Sequence, residues 1–80
     1  MEAGKLRDRY SDMLIEWTRG VRYPSNHIMD RTEQALTDRK RAEDYVEILI
    51  EKADTRHPSL HMLDRINRVI FMLQETEPEE

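Results

Sequence analysis

The sequence predicts an all-α fold, a small three-helix bundle with a long central helix, and three observations carry that expectation. Apolar residues recur at the 3.6-residue period of helices. Only two Gly and three Pro occur, and Gly20, Pro24 and Pro58 fall where that periodicity is interrupted. From Ser25 to Ala53 there is neither Gly nor Pro, and one apolar stripe stays in phase throughout.

The first helix, over about residues 3–19, rests on Leu6, Tyr10, Met13, Leu14 and Trp17, which share one face at i, i+4, i+7, i+8 and i+11. That face is expected to be the buried one, with Trp17 in the core. Gly20 suits a C-terminal cap, and Arg19 complements the helix dipole. GVRYPSN reads as a turn in which Ser25 or Asn26 caps the next helix.

The second helix is expected over 26–53. Ile28, Thr32, Ala35, Ala42, Val46, Leu49 and Ala53 keep one stripe in phase, with Arg39 the exception. In-phase continuation favours one helix of roughly 27 residues, about 40 Å long. A break near Thr37 and Asp38, where Thr caps a new helix, is the competing reading. DTRHPS forms the next turn, and Pro58 or Ser59 opens a third helix over 59–75. The acidic residues 76–80 read as a disordered tail.

Four apolar residues, Ile15, Ile48, Leu60 and Phe71, lie off their helices' stripes. A short bundle with apolar residues outside its own seams often buries them against another chain. The expectation is therefore a bundle completed by homodimerisation through the second and third helices, because a chain of this size gains stability by association.

Eighty residues, 38% hydrophobic and 38% charged, describe one small domain. Absence of cysteine removes disulfides, thiolate zinc sites and a cysteine nucleophile, and fits a reducing compartment. No apolar leader or membrane-length run is present, so a cytoplasmic location is expected. The net charge of −4 comes from the end of the chain: ETEPEE holds four of the seventeen acidic residues, leaving thirteen against thirteen bases. A one-sided field that would steer the chain to nucleic acid or an anionic membrane is absent.

Candidate chemistry is sparse. Glu43, Glu47, Glu51 and Asp54 line one helix face at i, i+4, i+8 and i+11, a ladder suited either to Mg²⁺ or to plain solvation. Within it EKAD, residues 51–54, resembles half of the acidic signature of all-α nucleotide pyrophosphohydrolases of the MazG type. That resemblance implies a metal-dependent nucleotide hydrolase, but the family also uses a paired-glutamate cluster on a preceding helix, where this chain has only Asp30 and Glu33. The opening KLRDRYSDMLIEW is similar in texture to AroQ-type chorismate mutases, whose long first helix Gly20 and Pro24 would cut short here. YPS, EQA and the helix with Tyr45, Val46 and Ile48 resemble phage late-gene activators of the ArpU type, which continue into a helix-turn-helix reader. His57 and His61 are four residues apart, with Pro58 placing His57 in the turn and no third ligand assigned. Serine sites and phosphate loops lack their glycine-rich contexts.

What remains is a surface for partners. The sequence predicts a non-enzymatic interaction module, with Ile15, Ile48, Leu60 and Phe71 as apolar anchors and Arg39, Lys40 and Arg41 as a charged rim. No catalytic, cofactor-binding or metal-binding residue is assigned. The runner-up is a nucleic-acid-associated regulator using Arg19, Arg22 and the Arg39, Lys40, Arg41 triplet.

Overall fold

A computed structural model describes residues 3–55 and 59–75 and shows four helices: α1 (Ala3–Gly20), α2 (Asn26–Ala35), α3 (Arg39–Asp54) and α4 (Leu60–Glu75). The fold is all-α, but the expected three-helix bundle with one long central helix is wrong. Residues 26–53 form two helices, and the chain is two hairpins, α1 with α2 and α3 with α4, joined where α1 packs on α3. The acidic 76–80 segment, His57 and Pro58 lie outside the described residues.

The break has a local and a global cause. Asp38 leaves helical geometry at φ −155° and ψ 173°, and its Oδ1 accepts from the Arg41 backbone N–H at 2.8 Å, so it is the N-cap of α3. Thr37 donates its hydroxyl to Asp8 of α1 at 2.7 Å, which ties the corner to the first helix. Leu36, extended at φ −66° and ψ 124°, packs its side chain against the core. A continuous helix of about 40 Å would also outrun α1, whose eighteen residues span about 27 Å, leaving one end without a surface to bury against.

The other ends follow the sequence more closely. Ser25 caps α2 by accepting from the Ile28 N–H at 3.2 Å, and Ser59 accepts from the Met62 N–H at 3.1 Å at the start of α4. Gly20 lies inside α1, at its last position, and no glycine has positive φ. The exposed carbonyls of that terminus are met from α3, whose Lys52 Nζ donates to Arg19 O at 3.0 Å and Val21 O at 2.7 Å.

The main core joins Ile15, Met29, Tyr45, Val46, Ile48, Leu49, Ile66 and Val69. The α1 and α2 contact is made differently, by small hydroxyl residues beside Leu14. Thr18 and Thr32 are fully buried and each donates to the carbonyl four residues back, Leu14 O at 2.9 Å and Ile28 O at 2.8 Å. Their hydroxyls meet at 3.3 Å. Ser11, also fully buried, has no hydrogen-bond partner among the described residues. Small side chains here let two backbones approach closely.

Of the five α1 residues expected in the core, Leu14 alone is buried, and the burial of the other four is reversed. The inward face is Ser11, Leu14, Ile15 and Thr18. The stripe of Leu6, Tyr10, Met13 and Trp17 faces outward, at 49, 42, 50 and 55% exposure, and Trp17 is not a core residue.

Candidate functional site

The surfaces with chemical potential are the basic triplet at the start of α3, an ionic cluster between α2, α3 and α4, and two apolar helix faces. At the triplet the three side chains separate according to their positions on α3. Arg39 is half-buried, pairs with Glu43 at 3.2 Å and donates to Leu73 O at 2.6 Å, so it closes the C-terminal end of α4. Lys40 projects into solvent and pairs with Asp44 at 3.0 Å. Arg41 turns toward α1 and grips Asp12 through two bonds, Nε to Oδ1 at 2.8 Å and a second terminal nitrogen to Oδ2 at 3.1 Å, while also meeting Asp38 and Asp8.

These contacts leave fingerprints on the carboxylates. The Arg41 side chain holds Asp12 below the usual carboxylate range, and the Arg41 backbone N–H does the same for Asp38, helped by the guanidinium. The triplet is thus surrounded by Asp8, Asp12, Asp38, Glu43 and Asp44, five acids around three bases. Its local field does not favour an anionic ligand. Of the other basic candidates, Arg19 pairs with Glu16 at 3.5 Å on the surface, and Arg22 stacks over the exposed Tyr23 ring at 5.8 Å.

The ionic cluster was not anticipated. Arg65 of α4 is buried, and its guanidinium reaches Glu33 at 2.5 Å and Asp30 at 2.8 Å on α2. Tyr45 of α3 is fully buried and donates its hydroxyl to the same Glu33 carboxylate at 2.6 Å. Burial, reinforced by Glu33, pushes the Tyr45 phenol far above its ordinary pKa, so it stays protonated. For Arg65, burial opposes the charge, and the Glu33 and Asp30 hydrogen bonds more than reverse that effect. The cluster is a cross-brace between hairpins, with donors and acceptors matched to one another.

Asp30 and Glu33 are the residues that a MazG-like reading would need beside the acidic ladder. Both are engaged by Arg65, while in the ladder Glu43 binds Arg39 and Glu47 and Glu51 line a separate shallow groove with Arg19, Asp44 and Ile48. Among the described residues no three His, Asp or Glu side chains converge on a position that could hold a metal ion. His61 is exposed on α4.

The four apolar anchors divide into two pairs. Ile15 and Ile48 are buried core residues, so their off-stripe positions mark contacts inside the chain and they are not available on its surface. Ile15 joins the cluster that includes Tyr45, Val46, Ile48 and Leu49, and these four α3 residues are buried together over an arc broader than one stripe. Leu60 and Phe71 are open to solvent, at 77 and 58% exposure, and with Leu63 and Asn67 they form an exposed face at i, i+3, i+7 and i+11 along α4. Ile50 of α3 is a further exposed apolar residue. The α1 stripe of Leu6, Tyr10, Met13 and Trp17 is the second such face.

No helix among the described residues is long and apolar enough to cross a membrane. No protein-family model, curated protein or solved structure matches the chain.

Proposed function

We propose that this chain is a non-enzymatic helical interaction module, a small cytoplasmic adaptor, regulator or inhibitor that presents a helix face to a protein partner. The observation that carries the reading is the contrast between its two kinds of surface. Arg39, Lys40, Arg41, Lys52 and Arg65, the polar groups best placed for chemistry, are occupied with internal carboxylates and carbonyls. Large apolar side chains face water instead, and on α4 Leu60, Leu63 and Phe71 line up along one side of the helix. Helix faces of this kind dock into or beside complementary apolar grooves, read at i, i+3 and i+7. A reducing, cytoplasmic setting suits a chain without cysteine.

The test is comparative capture from a lysate of the source organism on three immobilised baits: wild type, Leu60→Glu/Phe71→Glu, and Arg19→Ala/Arg22→Ala. The proposal expects a stoichiometric protein partner that the first and third baits retain and the second loses. Equal retention by all three would remove the α4 face from the account. Duplex DNA bound at low salt by wild type and lost by the arginine variant would replace this reading with nucleic-acid binding.

A further inference from the structure

We infer that the exposed stripe of α1 is the seat of an antiparallel, two-fold symmetric homodimer, the occupant of the face being α1 of a second copy. This stands apart from the α4 face on which the proposed function rests. Leu6, Tyr10, Met13 and Trp17 are spaced by four, three and four residues, the alternation that keeps a seam facing a partner helix. At roughly 100° per residue they fall within an arc of about 60°. None of the four is needed for the chain's own core, which takes Ser11, Leu14, Ile15 and Thr18 from this helix.

A two-fold interface must be complementary to itself. The stripe is centred between Tyr10 and Met13, so antiparallel pairing sets Leu6 across from Trp17 of the second copy and Tyr10 across from Met13. Small opposes large at the ends, and a flexible thioether meets an aromatic ring at the middle. Orientation is decided by charge. Arg9 and Glu16 are exposed and lie on the same flank of the stripe, two helical turns apart. Antiparallel pairing keeps this flank of both copies on the same side of the seam and brings Arg9 of each copy toward Glu16 of the other, whereas parallel two-fold pairing places the two flanks on opposite sides and makes neither contact. The pair that Glu16 makes with Arg19 within one chain is a surface contact at 3.5 Å and contributes too little to compete.

Size sets the strength. With aromatic side chains on the order of 150 to 250 Å² each, four half-exposed apolar residues leave about 400 Å² of side chain in water. That is within the range of about 300 to 600 Å² for the largest patch on a typical monomer, often a functional one, and two such patches make a small, reversible interface. The dimer is therefore expected to form in the range of about 10 to 100 µM.

Sedimentation equilibrium from about 1 µM to about 1 mM tests it, with far-UV circular dichroism to verify folding of each variant. Wild type should pass from monomer to dimer mass, and Met13→Lys should remain monomeric while folded, since Met13 is half-exposed. Arg9→Glu and Glu16→Arg should each weaken the dimer at least about three-fold, and the double exchange should restore it. A wild type monomeric throughout would overturn the proposal, as would a dimer indifferent to Met13→Lys. Single exchanges without effect would overturn the antiparallel arrangement. Should Met13→Lys not fold, Trp17→Gln on the same stripe supplies the same comparison.

Discussion

Replacing Arg65 with Met would remove the only buried cation described in the ionic cluster and leave the Glu33 carboxylate with the buried Tyr45 hydroxyl and a more distant, exposed Arg68. Breaking a buried ion pair from one side costs about 3 to 5 kcal/mol. Here the side chains retain 9 and 18% exposure, and Arg68 stands 3.7 Å from Glu33 as a partial substitute, so a loss of about 2 to 3 kcal/mol is the reasoned magnitude. A domain of this length has about 4 to 12 kcal/mol in all, and each kcal/mol moves the melting temperature by about 4 to 8 °C. Thermal and urea melts followed at 222 nm should show Arg65→Met melting about 10 to 20 °C lower. Glu33→Gln combined with Arg65→Met should recover about 1 to 2 kcal/mol relative to the sum of the single losses, because neither mutant then strands a charge. Arg68→Met, exposed, should change little. An Arg65→Met protein within about 0.5 kcal/mol of wild type would refute the brace, since a side chain on the surface behaves that way.

Three further outcomes follow from the same contacts. Ser11→Ala removes a buried hydroxyl that has no partner among the described residues and should raise stability by about 1 kcal/mol in urea titrations. Tyr45 has a folded pKa raised above its unfolded value, so the stability it contributes is full below about pH 10 and is lost as pH rises beyond that. In a Tyr10→Phe/Tyr23→Phe background the phenolate absorbance at 295 nm should rise only as the helical signal is lost. Asp12 and Asp38 have folded pKa values below their unfolded ones, so their contribution is present above about pH 4 and disappears as pH falls through the folded values. Urea midpoints measured between neutral pH and about pH 2 should show that loss, and Arg41→Gln should flatten it.

Helix content and helix starts were legible in the sequence because they are local. Ser25 and Ser59 act through backbone N–H groups three residues away, and such signals do not depend on the rest of the fold. The break near Thr37 and Asp38, the competing reading, is the observed one, with Asp38 rather than Thr37 as the cap; periodicity favoured a continuous helix because Ala35 and Ala42 stay seven residues apart whether or not the helix runs through them. What decided the matter was non-local, the bond from Thr37 to Asp8 and the burial of Leu36.

The phase of α1 was misread for a related reason. Periodicity identifies an apolar stripe but not whether the chain itself covers it, and the face that is covered includes Ser11 and Thr18, which carry little hydrophobic signal. Asp8 and Asp12, one turn apart, meet Arg41 of α3, a pairing that the spacing on α1 alone does not announce. Leu60 and Phe71 were correctly read as lying outside the core arc of α4, whereas Ile15 and Ile48 were not surface residues, because a four-helix arrangement buries wider arcs than a three-helix seam. The Glu33, Tyr45 and Arg65 cluster joins three helices across 32 residues of sequence, and no spacing rule announces such a meeting.

The outward orientation of the α1 stripe is the central claim, and the single tryptophan reports on it directly. Acrylamide quenching of Trp17 fluorescence, measured at a dilution where sedimentation shows monomer, should find a red-shifted emission that is readily quenched, with protection growing as the concentration rises. A blue-shifted, quench-resistant Trp17 in the dilute monomer would place the stripe in the core and contradict the account.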